Sequence, residues 1–245
     1  MVLQKYCASG NDFLIFHTFT KADLSALAEK LCDRHYGFGA DGLIALVPHE
    51  TLDFEWQFFN SDGSEAEMCG NGTRAVALYA NDNGLCGKTQ AFMTGAGEIK
   101  ASVFEDGLVE TELTTPKVIK DTFTENGFEW MLIDTGVPHL VAKSAKGFFD
   151  KELARELRVK YNANVNFYSF EDGILKVRTF ERGVEDETLA CGTGMAACAY
   201  RTSLQEPENT EFDVRPKSDE KITIKIKGEQ ILFKGVVQRV GSCLI

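Results

Sequence analysis

A short phrase, Cys-Gly-x-Gly followed by small residues, occurs twice in the chain. One copy begins at Cys69 and the other at Cys191, almost half of the 245 residues apart. Glycines followed by small residues are typical of a tight turn that opens a helix. Each copy is preceded at similar spacing by Phe and a polar residue, Phe59-Asn60 in the first and Phe180-Glu181 in the second. The repeat therefore predicts two similar domains, each with a thiol at the start of a helix.

Short apolar runs and alternating apolar residues predict many strands. The predicted strands are 13–16, 43–47, 54–59, 98–104, 108–113, 129–133, 140–142, 165–170, 174–180, 212–214, 221–227 and 230–240. They do not alternate regularly with long helices, which disfavours a doubly wound parallel sheet. The pattern indicates an α+β fold in which mainly antiparallel strands and one central helix occur twice.

Four helices are predicted. Leucine and alanine spacing indicates one over 21–32, with Thr20 as its N-cap and Asp23 in its first turn, and another over 149–159. The other two follow the repeated cysteines, through Ala80 and through about Ser203. Both are alanine-rich and apolar nearly all round, so each is expected to be buried within its domain.

The domain boundary is expected near Pro116, where proline interrupts the strand pattern, giving domains 1–116 and 117–245. Whether the final strand, about 236–245, returns to the first domain stays open.

Net charge and cysteine content indicate which kinds of binding partner and which cellular compartment to expect. The net charge of −11 argues against a nucleic-acid partner, since the sequence has no basic stripe to replace counterions. No secretory signal or stretch of transmembrane length is visible. Seven cysteines are an odd number in a chain too long to need a disulfide framework. We therefore expect a soluble, cytoplasmic protein with no membrane partner.

The chemistry of the repeat follows from its position. At a helix start, unpaired backbone N–H groups and the positive end of the dipole lower a thiol pKa and create an anion site. A single copy would more often be a tight turn with cysteine as a small core residue. Two parallel copies favour function: two thiols could remove a proton from one side of a carbon and return one on the other.

Two competing interpretations are weaker. Residues 37–42 match the G-x-G-x-x-G pattern, but a predicted helix precedes them and a strand follows, the reverse of a dinucleotide site. The glycines after Cys191 follow a segment too acidic for a buried strand. No C-x-x-C occurs and the four histidines fall in no ligand spacing, so no metal site and no cofactor are predicted.

Taken together, several segments resemble the diaminopimelate epimerase family across nearly the whole chain. They are 7–13 (CASGNDF), 37–43 (GFGADGL), 59–64 (FNSDGS), 68–72 (MCGNG), 164–167 (NVNF), 181–183 (ERG) and 190–194 (ACGTG). The resemblance implies two pseudo-symmetric domains, each a curled sheet or barrel around a central helix. It also implies a cofactor-independent epimerase that interconverts L,L- and meso-diaminopimelate in lysine and peptidoglycan precursor biosynthesis, commonly as a homodimer.

By motif match, the resemblance implies roles for individual residues. Cys69 and Cys191 would be the acid/base thiols, assisted by His139 and Glu181. The residues implied to hold the substrate are Asn11, Asn60, Gly70, Asn71, Asn164, Glu181, Arg182, Gly192 and Thr193. Without the resemblance, His139 and the Glu181-Arg182 pair would be read as ordinary surface residues.

The chain departs from the family pattern in two places. Val137 stands where the family usually has Asn, and the segment 184–190 is commonly one residue shorter. Both departures concern recognition of the distal end of the substrate.

Three rival hypotheses remain at this point. The thiols could serve a related cysteine-pair racemase, such as a proline racemase-like enzyme. They could form a thiol–disulfide redox pair. The chain could also be a non-catalytic amino-acid-binding module.

Overall fold

The computed structural model describes all 245 residues. Two compact units are present: residues 1–111 with 235–245, and residues 112–234. The first unit contains, in chain order, β1 Val2–Ala8, β2 Asn11–His17, α1 Ser25–Cys32, β3 Gly42–Val47, β4 Phe54–Asn60, α2 Gly70–Asp82, β5 Thr89–Thr94, β6 Gly97–Val103 and β7 Leu108–Leu113.

The remaining elements begin at residue 117. They are β8 Lys117–Glu125, β9 Phe128–Asp134, β10 Pro138–Lys143, α3 Lys151–Tyr161, β11 Asn164–Glu171, β12 Ile174–Glu181, β13 Asp186–Glu187, α4 Gly192–Gln205, β14 Glu211–Arg215, β15 Ile222–Lys227 and β16 Gln230–Leu244. The long strand β16 belongs to the second unit at its start and to the first unit from Gly235 onward.

In the first unit the strands run β16-β1-β2-β3-β4-β5-β6-β7, and β7 bonds back to β16, which closes the sheet. The pairs β2–β3 and β4–β5 are parallel, and the pairs β16–β1, β1–β2, β3–β4, β5–β6 and β6–β7 are antiparallel. Helix α2 is the central helix: its residues 71–80 are buried without interruption. Side chains of β2 alternate between two cores, with Phe13 and Ile15 facing the α2 side and Leu14 and Phe16 the α1 side.

The second unit repeats this element order. Its strands run β8-β9-β10-β11-β12-β14-β15-β16, with parallel pairs at β10–β11 and β12–β14. Helix α3 packs through Ala154 and Leu157 onto an apolar cluster that contains Trp130 and Phe167. Helix α4 is buried over residues 194–199. The predicted α+β class, with a mainly antiparallel curled sheet around a central helix, is confirmed.

The start of the first helix was predicted wrongly. Helix α1 begins at Ser25, its N-cap is Leu24, and no acidic residue lies in its first turn. The carboxylate of Asp23 instead accepts a hydrogen bond from the backbone N–H of Ser25 at 3.0 Å. Such a local bond offers the backbone an alternative to the helix, so the residues before Ser25 stay outside it.

Three strands of normal length, β1, β5 and β8, were not predicted. In β1 the polar residues Gln4 and Lys5 interrupt the apolar ones, so the strand has no apolar alternation. Strand β8 is exposed along most of its length and therefore carries no apolar stripe. No helix is both long and apolar enough to cross a membrane.

Candidate active site

The first cysteine of the repeat caps the central helix of the first unit. Cys69 has extended backbone angles, φ −150° and ψ 115°, and its Sγ accepts a hydrogen bond from the N–H of Gly72 at 3.4 Å. The sulfur therefore occupies the place of a conventional N-cap oxygen, at the positive end of α2. A thiolate or a bound anion is favoured there.

Beside this helix start, a row of hydrogen bonds connects four side chains. The guanidinium of Arg74 donates to Asn71 Oδ1 at 2.9 Å, and Asn71 Nδ2 donates to Asn11 Oδ1 at 2.6 Å. Asn11 Nδ2 then donates to Asp41 Oδ2 at 3.0 Å. We call these four residues the amide chain. It brings Asn11 and Asn71, two of the predicted substrate-binding residues, together at the start of α2.

The Asp41 end of the amide chain is anchored by charges. Arg34 pairs with Asp41 at 2.8 Å and with both oxygens of Asp12, at 3.1 and 2.8 Å. Lys5 pairs with Asp12 at 2.8 Å. Burial opposes ionisation of Asp12, but hydrogen bonds from Arg34 and Lys5 outweigh it and lower its pKa to about 2. Asp12 is therefore ionised at neutral pH and holds Arg34 in place.

Asn60 lies apart from the amide chain, at the end of β4. Its Nδ2 donates to Ser64 Oγ at 3.0 Å across a tight turn. Gly63 in that turn has φ +80°, a conformation that favours glycine. No hydrogen bond connects Asn60 to the other predicted residues of the first unit.

The second cysteine of the repeat caps the central helix of the second unit. Cys191 has φ −123° and ψ 108° and is 7% exposed. Its Sγ lies 3.6 Å from Thr193 Oγ1, and either atom could be the donor of this contact. A Cβ at Gly194 would lie 2.4 Å from Asn166 Oδ1 and 3.3 Å from Cys191 Sγ. Only glycine allows this close approach between helix, strand and thiol.

The hydrogen bonds around His139 define which ring nitrogen carries its hydrogen. Asn166 Nδ2 lies 3.2 Å from the carbonyl of Leu140, which can only accept, and 3.1 Å from His139 Nδ1. Asn166 Oδ1 accepts from Thr179 Oγ1 at 2.8 Å. His139 Nδ1 is therefore the acceptor, and Nε2–H donates to Thr193 Oγ1 at 2.8 Å. Because Thr193 Oγ1 accepts from His139, its own hydroxyl hydrogen is free to point toward Cys191 Sγ, 3.6 Å away.

His139 is a neutral side chain in this setting. It is completely buried, and burial lowers its pKa to about 3, with the nearby charge of Arg182 acting in the same direction. Burial therefore favours the neutral ring over the imidazolium. The neutral His139 can orient Thr193 through the Nε2–Oγ1 hydrogen bond.

The remaining predicted residues of the second unit lie at the ends of β11 and β12. Asn164 Oδ1 accepts from the backbone N–H of Arg182 at 2.7 Å. Asn164 Nδ2 lies 3.4 Å from His139 Nε2, which is a contact between two N–H groups and not a hydrogen bond, because Nε2 carries the hydrogen. Arg182 also donates to the carbonyl of Asn162 at 3.0 Å. Burial raises the pKa of Glu181. These contacts group Asn164 and Arg182 with His139, Thr193 and Cys191.

The two departures from the family pattern have defined surroundings. Val137 follows Gly136, which has φ +113°, and its apolar side chain offers no hydrogen bond. Within the longer segment 184–190, strand β13 pairs with β12. Glu187 of β13 binds both Arg178, at 2.5 Å, and Lys217, at 2.8 Å.

Four polar residues at these places were not assigned a role from sequence: Asp41, Arg74, Asn166 and Thr179. A signal existed for Asn166, since Asn164 and Asn166 are two apart in a strand and so lie on one face. An amide in a fully buried strand is uncommon and usually has specific partners. The structure has no cluster of three or more histidine, cysteine or acidic side chains placed to hold a metal ion.

Comparison with known proteins adds sequence relatives. The family model described as diaminopimelate epimerase matches residues 3–119. The diaminopimelate epimerase of a Nitratiruptor species is 55% identical over 242 residues, covering 98% of this chain and 96% of the relative. That of Campylobacter jejuni (strain RM1221) is 50% identical, covering 97% and 96%. That of Helicobacter pylori (strain Shi470) is 41% identical, covering 100% and 96%.

Solved structures share the fold at low sequence identity. A probable proline racemase from Agrobacterium radiobacter K84, with bound carbonate, has a TM-score of 0.75 at 14% identity and covers 100% of this chain and 92% of its own. A phenazine biosynthesis protein of the PhzF family from Bacillus anthracis has a TM-score of 0.73 at 17% identity, covering 100% and 99%. At these identities the likeness concerns architecture alone.

Proposed function

The chain belongs to the diaminopimelate epimerase family, and we propose that it interconverts L,L- and meso-diaminopimelate for lysine and peptidoglycan precursor biosynthesis. The observation that carries the proposal is the paired helix starts. In each unit a cysteine is the N-cap of a buried, glycine-rich helix. Identity of 55% over almost the whole chain to an epimerase of that name supports the choice of substrate.

The reaction inverts one α-carbon, so a proton leaves one face and another arrives on the opposite face. In the proposed mechanism one of Cys69 and Cys191 acts as thiolate and removes the α-proton, while the other acts as thiol and donates a proton. The two exchange roles in the reverse direction. Atoms balance without an oxidant, a reductant or a cofactor, and none is proposed.

The difficult species is the α-carbanion, whose negative charge spreads into the carboxylate. Backbone N–H groups at the starts of α2 and α4, including those of Gly70 and Gly192, supply donors for that charge. Such fixed donors cost no reorganisation when the charge develops. Loss of one donor of this type lowers activity by about 3–4 kcal/mol of transition-state stabilisation in other enzymes.

His139 and Glu181 assist the thiols by different physical means. His139 is neutral, so we assign it a positioning role: its Nε2–H orients Thr193, whose hydroxyl lies 3.6 Å from Cys191 Sγ. A hydroxyl directed at sulfur favours the thiolate form. Glu181 has its pKa raised by burial, which favours the protonated form of its carboxyl more than in an exposed glutamate.

The substrate-binding set that we propose contains side-chain amides, a hydroxyl, backbone donors and charged groups. Its members are Asn11, Asn60, Gly70, Asn71, Asn164, Glu181, Arg182, Gly192 and Thr193. Arg182 supplies the positive charge of the set, which matches a carboxylate of the substrate.

We further propose that the protein is a cytoplasmic homodimer. Exposed apolar residues on strands support an interface, namely Val118 and Ile119 of β8 and Val240 and Leu244 of β16. Light scattering coupled to size exclusion is expected to give twice the mass of the chain. A mass of one chain at micromolar concentration would contradict the dimer.

The test of the function uses the purified protein and two candidate substrates in D₂O. With L,L-diaminopimelate, we expect deuterium at an α-carbon together with the meso isomer; with L-proline, we expect neither. Turnover of proline alone would favour the proline racemase-like rival. Binding of diaminopimelate without α-hydrogen exchange would indicate a non-catalytic binding module.

Two variants connect that reaction to the thiols. Cys69→Ala and Cys191→Ala are each expected to abolish epimerisation while the midpoint of thermal unfolding stays close to that of the wild type. Cys198→Ala, a change at a buried cysteine of α4 outside the proposed chemistry, is the matched control and should retain turnover. Full turnover by either of the first two variants would contradict the two-thiol mechanism.

A further inference from the structure

The hydrogen bonds of the amide chain all run in one donor-to-acceptor order, from Arg74 to Asp41, and the residues at its two ends impose this order. We propose that Asp41 and Arg74 are positioning residues, which turn the amides of Asn71 and Asn11 so that both present N–H groups to a carboxylate of the substrate. The inference rests on the proposed epimerase function and extends it to two residues with no assigned role.

The orientation of each amide follows from what its neighbours can do. A guanidinium only donates, so the Asn71 atom that lies 2.9 Å from Arg74 is the carbonyl oxygen. A carboxylate only accepts, so the Asn11 atom that lies 3.0 Å from Asp41 is the amide nitrogen. The 2.6 Å bond from Asn71 Nδ2 to Asn11 Oδ1 fits both assignments. Reversing the amides would place donor against donor at Arg74 and acceptor against acceptor at Asp41.

The hydrogen-bond capacity of the chain leaves donors available. Each amide nitrogen carries two hydrogens, and the chain uses one of them on Asn71 and one on Asn11. Each amide therefore keeps one N–H, while its carbonyl oxygen already accepts a bond. These N–H groups lie at the start of α2, where backbone donors also favour negative charge. The ligand group that fits is a carboxylate.

Both ends of the chain are held firmly. Arg74 is completely buried in α2 and also donates to Ser9 Oγ at 2.7 Å. Asp41 Oδ1 accepts from Arg34 at 2.8 Å, and its Oδ2 accepts from the backbone N–H of Asp12 at 3.1 Å. Neither end can turn without breaking these bonds, so the amides are oriented before any ligand arrives.

The first experiment compares Asp41→Asn with Lys5→Met. An amide at position 41 can face Asn11 with either atom, so this variant weakens the orientation and should raise KM for diaminopimelate about tenfold with little change in kcat. Lys5→Met removes one ion pair of the same charged cluster but leaves Arg34, Asp41 and Asn11 bonded, and its KM should stay within about twofold of wild type. Equal KM changes in both variants would overturn the proposal.

The second experiment exchanges the two side chains in the double variant Asn11→Asp with Asp41→Asn. The new carboxylate at position 11 can still accept from Asn71 Nδ2 and from the new amide at 41, so the chain of bonds survives. It has no N–H left for a ligand and adds a negative charge. We expect a near-wild-type unfolding midpoint with KM raised at least about a hundredfold. A wild-type KM would overturn the proposal.

A measurement on the wild type keeps the proposal testable if these variants do not fold. In nitrogen-15 NMR spectra, saturating meso-diaminopimelate should shift the side-chain Nδ2 signals of both Asn11 and Asn71. Asn83 is the control, since its Nδ2 already donates to Gln4 Oε1 at 3.2 Å and to the Tyr79 carbonyl at 2.8 Å. Turnover without shifts at Asn11 and Asn71 overturns this inference alone. Absence of turnover contradicts the proposed function itself.

Discussion

At the scale of single residues, His139 illustrates how burial decides what a side chain can do. The motif match implied a group that assists proton transfer, and an exposed imidazole could do so directly. In the folded protein the ring is completely buried, Asn166 occupies its Nδ1 face, and Nε2–H is directed at Thr193. The residue therefore contacts Thr193, which in turn contacts Cys191, and we propose that it acts on the thiol through this neighbour. Its protonation is linked to unfolding.

The depressed pKa of His139 makes stability depend on pH. Below its usual pKa of 6.5 the unfolded chain binds a proton here, whereas the folded protein does not until the pH approaches about 3. The stability is thus fully present above pH 6.5 and falls as the pH decreases toward 3, by about 1.4 kcal/mol per unit.

Urea unfolding at about pH 7 and about pH 5 measures this contribution. From about pH 7 to about pH 5, the unfolding free energy of the wild type should fall by about 2 kcal/mol more than that of His139→Gln, because the variant lacks the titrating group. His35→Gln, at an exposed histidine, is the control and should keep the wild-type slope. If the unfolding free energy of His139→Gln changed with pH as much as that of the wild type, His139 would not titrate as described.

At the scale of elements, the start of α4 depends on a glycine for reasons of space. The phrase Cys-Gly-x-Gly indicated a tight turn, but the need for Gly194 arises from strand β11, whose Asn166 lies where a Cβ would be. That contact joins residues 28 positions apart in the chain and could not be predicted from the repeat itself.

Gly194→Ala should therefore destabilise the protein and displace the Asn166–His139–Thr193 hydrogen bonds. Overpacking of this kind costs about 1–3 kcal/mol, which thermal unfolding can measure together with kcat. Gly87→Ala is the matched control, since a Cβ there meets nothing within 4 Å. Equal unfolding midpoints for the two variants would contradict the close-approach argument.

The caps of the two outer helices provide a second element-scale prediction. Asp150 caps α3 and accepts from the backbone N–H groups of Glu152 and Leu153 at 3.1 and 3.0 Å. Asp150→Ala should cost about 1 kcal/mol of unfolding free energy, whereas Thr20→Ala should cost almost nothing because α1 begins at Ser25. A loss of unfolding free energy for Thr20→Ala larger than that for Asp150→Ala would support Thr20 as the N-cap of the first helix after all.

At the scale of the whole molecule, the sequence supplied the fold class and the paired helices but little of the hydrogen bonding. Repetition and apolar patterning are properties of the chain, so the two buried helices after Cys69 and Cys191 could be predicted. Two groups of hydrogen bonds depend on which strands become neighbours. One orients the amide of Asn166, and the other is the amide chain from Arg74 to Asp41. Strand β8, being exposed, had no pattern from which to predict it.

The central claim is that two different thiols handle the proton on the two faces of one α-carbon. The most direct measurement follows L,L-diaminopimelate in D₂O during the first few per cent of conversion, with the α-deuterium of substrate and product read separately by mass spectrometry. Two thiols on opposite faces predict a meso product that carries solvent deuterium at the inverted carbon, while the remaining L,L isomer stays almost unlabelled. A product that retains the original hydrogen would show that a single group removes and returns the same proton, and would contradict the claim.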